Sequence, residues 1–303
     1  MNRMVVRAIF FTGLIVAGIM TPGVLRAQEP GGLPETKAPA PTRAAPAPAT
    51  TAPPALSPSS HPLNDYWIAH DKQILSDFGW LAHFKEANMK LPPPKPGENR
   101  VVFMGDSITE AWHLDKFFPG KPYINRGISG QTTPQMLVRF RQDVIDLKPK
   151  VVVILAGTND IAGNTGPMTL EQTEDNLASM AELARANHIR VVLCSVTPAF
   201  DFPWSPGMTP APKVIALNAW IRKYADEKGH VYVDYHSAMK DGRDGLPAAL
   251  SKDGVHPLPA GYAIMTPLAE VGIAKAGKTG TKGPRDSGTQ KGPGGLFGFG
   301  MPA

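Results

Sequence analysis

The chain has one cysteine, Cys194, in 303 residues. No intramolecular disulfide can form, so no disulfide framework holds the fold. The place of Cys194 inside "RVVLCSV" reads as a small buried apolar residue. No H-E-x-x-H or C-x-x-C occurs, and the Asp and His residues do not cluster at ligand spacing, which argues against a metal hydrolase. A G-x-S-x-G elbow is also absent. Basic charge is scarce where a folded unit would lie. The net charge is +5, but residues 1–27 carry +3 and residues 277–303 carry +3, so with 28–62 neutral the stretch 63–276 is left at −1. A basic face for nucleic acid is therefore not supported. No repeat occurs at a solenoid or propeller period.

The ends of the chain are distinct from its middle. Residues 1–27 hold no charge between Arg7 and Arg26 and read as a signal peptide, or as an uncleaved anchor, with Ala27 the candidate last residue before cleavage. Residues 28–62 are dominated by Ala, Pro and Thr and read as an extended linker. Residues 277–303 are rich in Gly and Lys and read as a disordered tail. The expectation is an exported protein, periplasmic or extracellular, whose folded domain spans 63–276 and does not enter a membrane.

Within 63–276, residues 65–91 place Trp67, Ile74, Phe78, Leu81 and Phe84 at helical spacing, and "LPPPKPGEN" stops that helix. Apolar runs follow at 100–105, 122–127, 150–157, 190–196 and 231–235. Helical patterns lie between them at about 133–147, 169–188, 211–228 and 259–276. Over 169–188 the apolar face is Leu170, Thr173, Leu177, Met180 and Leu183, and Thr169 with Gln172 forms a capping box. Strands alternating with helices predict a parallel sheet covered on both faces. The runs 151–155 and 191–194 do not alternate, as expected of strands buried on both sides.

Reactive groups in such sheets collect beyond the carboxyl ends of the strands. Three polar, Gly-containing stretches fall there: "GDSIT" after the first strand, "GISGQTT" after the second and "GTND" after the third. Ser107 becomes a nucleophile only if a base takes its proton. Of the 8 histidines, His256 alone has an acid three residues earlier with a Gly between and a Pro after it. In that turn Asp253 can fold back toward Nδ1 and leave Nε2 facing a serine; His236 is the other candidate base. Gly130 can offer an unobstructed N–H, Asn159 a side-chain amide, and the Ser107 N–H opens a helical turn where amides are unpaired. Gly105 is read as the residue that lets the chain turn, and Asp106 as a turn-stabilising residue. Each of these signals alone also fits an ordinary strand-to-helix turn or capping loop.

Together, "GDSIT", "NRGISGQTT", "GTND" and "DGVH" resemble the four sequence blocks of the SGNH (GDSL-type) hydrolase family. The likeness is to its branch with platelet-activating-factor acetylhydrolase subunits and related bacterial esterases. It covers roughly 100–270. The resemblance implies a three-layer α/β/α, flavodoxin-like sandwich around five parallel strands, and a serine esterase without cofactor. It implies Ser107 as nucleophile, Asp253 and His256 as acid and base, and Gly130 and Asn159 as oxyanion donors with the Ser107 amide. The loop 195–213 is long and aromatic, so Phe200, Phe202 and Trp204, with Trp112, are the candidate walls of the substrate site. The expected partner is a small-molecule or polysaccharide ester, with short acetyl-type esters first. Lysophospholipase, thioesterase, sugar O-acyltransferase and a non-catalytic carbohydrate-binding module remain as alternatives, and the oligomeric state is open.

Overall fold

The computed structural model describes residues 65–278; the readings made for 1–27, for 28–62 and for the tail beyond Lys278 lie outside the described residues. The order of elements is α1 (Asp65–Ser76), α2 (Lys85–Lys90), β1 (Val101–Gly105), α3 (Ser107–Glu110), α4 (Leu114–Phe117), β2 (Tyr123–Gly127), α5 (Thr133–Asp143), β3 (Val151–Leu155), α6 (Thr158–Ala162), α7 (Leu170–Ala186), β4 (Arg190–Cys194), α8 (Ala211–Lys228), β5 (Val231–Val233), α9 (Tyr235–Met239) and α10 (Pro259–Lys278). The strands form one parallel sheet in the order β2-β1-β3-β4-β5. This is the flavodoxin-like order, in which the chain starts inside the sheet and reverses direction once, between β2 and β3.

Alternate strand residues feed two cores. Val102 and Met104 of β1, with Val152 and Ile154 of β3, pack beneath α5, α7 and α8. Val101 and Phe103, with Val151 and Val153, pack beneath α4 and α10. Both faces are apolar, so β1 and β3 show no alternation in sequence and every residue of each is buried. The capping box at α7 is present: the Thr169 N–H donates to Gln172 Oε1 at 2.9 Å, and the Gln172 N–H to Thr169 Oγ1 at 3.2 Å. The buried stripe of α7 continues through Ala181 and Ala184 rather than Leu183, which is exposed. Gly272 lets α10 lie directly on β5, since a Cβ there would run into Val233.

The single helix expected over 65–91 is two helices. It breaks at 77–84, where Trp80 adopts φ 52° and a Cβ on Gly79 would come within 2.8 Å of Val138. Side chains from and just before α5 hold the break. Gln131, Gln135 and Gln142 donate to the carbonyls of Gly79, Phe78 and Leu81 at 3.1, 2.8 and 2.8 Å. These carbonyls are thus satisfied by tertiary partners instead of helical ones. Cys194 is sealed at the end of β4, and burial pushes its thiol up to about 12.

Candidate active site

The carboxyl end of β1 is built around space. A Cβ on Gly105 would meet the Leu155 carbonyl at 2.7 Å and collide with the Thr109 side chain. Gly105 is therefore needed for close approach, not for an unusual turn, since its φ is not positive. Asp106 caps α3: its Oδ1 accepts from the Ile108 N–H at 3.0 Å. Ser107 becomes the first residue of a helical turn, where its own N–H has no intrahelical acceptor. The Tyr262 hydroxyl donates to the Ile108 carbonyl at 2.7 Å and fastens this turn to α10.

The other half of the site is the loop before α10. Gly254 takes φ 79°, and Asp253 Oδ1 accepts from the N–H groups of Val255 and His256 at 3.0 and 2.8 Å. The Ser251 hydroxyl donates to the same oxygen at 2.9 Å. Asp253 Oδ2 then lies 2.6 Å from His256 Nδ1, and His256 Nε2 lies 2.8 Å from Ser107 Oγ. Partial burial would raise the Asp253 carboxyl, but the hydrogen bonds from the His256 ring and from the backbone of His256 and Val255 prevail and hold it down at about 2. An ionised Asp253 favours the proton on Nδ1 and leaves Nε2 to accept from Ser107. His236 is elsewhere: it is buried, and its N–H donates to Ser195 Oγ at 2.9 Å.

The two candidate donors lie on two further loops. Gly130, after β2, takes φ 77°. Asn159 opens α6 after β3, and its amide is fixed at both ends. Nδ2 donates to the Gln131 carbonyl at 3.0 Å, and Oδ1 accepts from Asn164 Nδ2 at 2.9 Å. Asn164 Nδ2 also lies 3.2 Å from the Gly130 carbonyl. Asn164 thus joins the two candidate donor loops, and its tie to Gly130, 34 residues earlier, has no local signal in the sequence. Glu110 does the same on the other side, with Oε2 accepting from the Ser129 N–H at 2.9 Å and from the Ser129 hydroxyl. Asp160 accepts from the Thr133 N–H at 3.0 Å and from its hydroxyl, which ties α6 to the start of α5. A hydroxyl bonded to an imidazole that a carboxylate orients is equipped for acyl transfer, provided that donors face the oxygen where charge develops.

Residues 103–264 match the GDSL-like Lipase/Acylhydrolase family, which is more than half of the chain. The chain belongs to this family. A GDSL-like lipase of Bacteroides thetaiotaomicron, known from a crystal structure, is 46% identical with a TM-score of 0.64, over 66% of this chain and 100% of that one. Esterase TesA of Pseudomonas aeruginosa is 30% identical over 171 residues, 52% of this chain and 79% of its own length. An acetylxylan esterase of Xylanibacter ruminicola is 27% identical over 246 residues, 68% of this chain and 48% of its own length. The chain thus spans about half the length of that last relative. This GDSL-family protein is a carboxylic ester hydrolase.

The aromatic residues expected to wall the acylhydrolase site divide. Trp112 does not reach it: it is 1% exposed, among Phe103, Phe118, Tyr235 and Tyr262 with ring centroids 5.4 to 6.2 Å away. The α3 turn ends two residues earlier and delivers the indole to the core between β1 and α10. Phe202 is fully buried and stacks under Trp204 at 5.1 Å. Trp204 is the one that meets the site, 6.0 Å from the His256 ring. Phe200 is exposed beneath the Arg243 guanidinium, 4.8 Å from its ring centre. A cavity of about 390 Å³ beside α3, with His83, Glu110 and His113 in its lining, does not include Ser107, Asp253 or His256. Among the described residues, no helix is long and apolar enough to cross a membrane, and no group of three or more His, Cys, Asp or Glu is arranged to hold a metal ion.

Proposed function

We propose that this protein is an exported serine esterase that removes acetyl-type acyl groups from carbohydrate esters, with Ser107 as its nucleophile. The observation that carries the reading is the continuous line Asp253–His256–Ser107, with contacts of 2.6 and 2.8 Å. In this reading His256 Nε2 takes the Ser107 proton while Oγ attacks the ester carbonyl carbon. The carbonyl oxygen becomes an oxyanion held by the amides of Ser107 and Gly130 and by Asn159 Nδ2. The tetrahedral adduct collapses, the bond to the alcohol oxygen breaks, and the Nε2 proton goes to that oxygen. Water, deprotonated by His256, then attacks the acyl-serine and releases the acid and the Ser107 hydroxyl. Asp253 stays ionised throughout and stabilises the imidazolium.

The carbohydrate part of the reading is supported by likeness to an acetylxylan esterase, 27% identical over 68% of this chain. It is also supported by Trp204, which lies beside His256, where a sugar alcohol would leave. Export is supported by the composition of residues 1–62. The test is release of acetate from acetylated xylo-oligosaccharides and of p-nitrophenol from its acetate by the full chain. Ser107→Ala is expected to abolish both, and a fluorophosphonate is expected to label the wild-type protein at Ser107. Undiminished hydrolysis by pure Ser107→Ala would refute the assignment.

A further inference from the structure

Helix α1 lies outside the residues that match the family, yet it stands against the loop that carries Gly130. The missing side chain of Gly130 points at it: a Cβ there would lie 3.1 Å from His70 Nε2 and 3.5 Å from the Tyr66 hydroxyl oxygen. The Tyr66 and His70 rings stack with centroids 6.3 Å apart and planes 20° apart, and Trp67 lies edge-on to both. Trp67 is buried and anchors the helix, while Tyr66 is 54% exposed.

The placement is braced from the C-terminal end of α1. The segment that follows α1 is held by the three glutamines already described. Asn88 adds a bond of 2.6 Å to Asp143 Oδ1, and Arg126 donates to Asn88 Oδ1 while its guanidinium covers Phe84 at 4.6 Å. A support with this many cross-links behaves as a wall rather than a lid.

The chemistry says which part of a substrate meets this wall. His256 must protonate the departing oxygen, so the alcohol leaves on the His256 side, where Trp204 stands on the loop after β4. The carbonyl oxygen turns to the donors. The remaining substituent at the tetrahedral carbon, the acyl chain, is directed away from His256. In the order β2-β1-β3-β4-β5, Ser107 follows β1, so away from β4 means toward the β2 side, where Gly130 and α1 sit. We infer that Tyr66 and His70, carried on α1, form the wall that ends the acyl site and restrict it to short acyl groups. This rests on the acyl-serine reading above and deepens it.

The experiment compares kcat/KM of the full chain on p-nitrophenyl acetate, butanoate, hexanoate and octanoate. It includes Tyr66→Ala, Tyr66→Phe, His70→Ala and the Tyr66→Ala/His70→Ala pair. The ratio of hexanoate to acetate is read within each protein, so it does not depend on the fraction that is folded. Tyr66→Ala is expected to raise this ratio by about tenfold or more, the scale on which a pocket discriminates by chain length. The pair is expected to raise it further, and Tyr66→Phe, which keeps the ring, to leave it as in the wild type. An unchanged ratio in both Tyr66→Ala and the pair overturns the inference while leaving Ser107 in place. A wild type that hydrolyses none of these esters, or a Ser107→Ala that equals it, overturns the reading beneath and the inference with it.

Discussion

Arg139 is fully buried, and each part of its guanidinium has a separate task. Nη1 pairs with Asp143 Oδ2 at 3.1 Å, both side chains being 0% exposed. Nε donates to Gln131 Oε1 at 2.6 Å, and Nη2 to the Gly105 carbonyl at 3.1 Å. Burial brings the guanidinium down to about 10, with Asp143 opposing the shift, so Arg139 stays charged at neutral pH. Arg139→Met removes the cation and strands the Asp143 carboxylate, for which breaking a buried pair costs about 3–5 kcal/mol. Asp143 keeps the Asn88 amide at 2.6 Å, so the lower half of that range is expected. Arg139→Met/Asp143→Leu removes both charges. Its cost is then the lost guanidinium bonds to Gln131 Oε1 and the Gly105 carbonyl, the latter still accepting from the Ile128 N–H at 3.1 Å, and the lost Asp143 bond of the Asn88 amide, which keeps the Gln142 carbonyl at 3.2 Å; offset by apolar burial, it is expected to be smaller than that of the single change. Urea unfolding followed by tryptophan fluorescence measures both. Because Gly105 lies two residues before Ser107, kcat on p-nitrophenyl acetate is also expected to fall in each variant. An Arg139→Met cost below about 1 kcal/mol, or a double variant less stable than the single, would refute the reasoning.

In the proposed mechanism Asn159 Nδ2 meets charge that develops only in the transition state, so Asn159→Ala is expected to lower kcat by about 10²–10³ with little change in KM. Asn164→Ala, which frees the Asn159 amide and the Gly130 carbonyl without removing a donor, is expected to cost less; losses that fall on KM instead of kcat in steady-state kinetics would contradict both. Asp106 is fully buried, and burial, with the Asp160 charge adding to it, raises its carboxyl to about 7 against the Ile108 bond and the His256 charge. Burial likewise raises Asp160 to about 6 despite the Thr133 bonds. The unfolded chain releases these protons near 4, so between about pH 4 and 7 the native state binds more protons and stability falls as pH rises. Asp106→Asn cannot titrate and is expected to gain on the wild type across that window, by on the order of a few kcal/mol in denaturant melts. A stability difference that is the same at pH 4 and pH 7.5 would count against it. Asp253, held down at about 2, acts in the opposite sense: its contribution is present above the unfolded value near 4 and is lost as pH falls toward 2.

The parts of this fold that announce themselves in sequence are those whose cause is local. The five strands are apolar runs, α7 carries its cap at Thr169 and Gln172, and the Asp253 turn is closed by residues within three positions of one another. What is hidden depends on partners far along the chain. The break at 77–84 comes from glutamines about fifty residues later, so periodicity ran straight through it. Trp112 looked like a pocket wall because it follows Ser107 closely, but the end of a four-residue helix turned it inward. Asn164 and Glu110 are ordinary polar residues until the loops they join are brought side by side. His70 and Tyr66 lay in a segment that reads only as an amphipathic helix, and only the tertiary packing of α1 places them beside Gly130.

Cys194 ends β4, which has a strand on either side, and its thiol is 2% exposed. A thiol reagent in solution reaches it only when the sheet itself comes apart, since both the burial and the raised thiol pKa hold the reactive thiolate back in the native state. The natural chain therefore carries its own clock for global opening. The rate of thiol modification under native conditions reads how often the whole domain opens, with no label introduced and no second cysteine to confuse the signal.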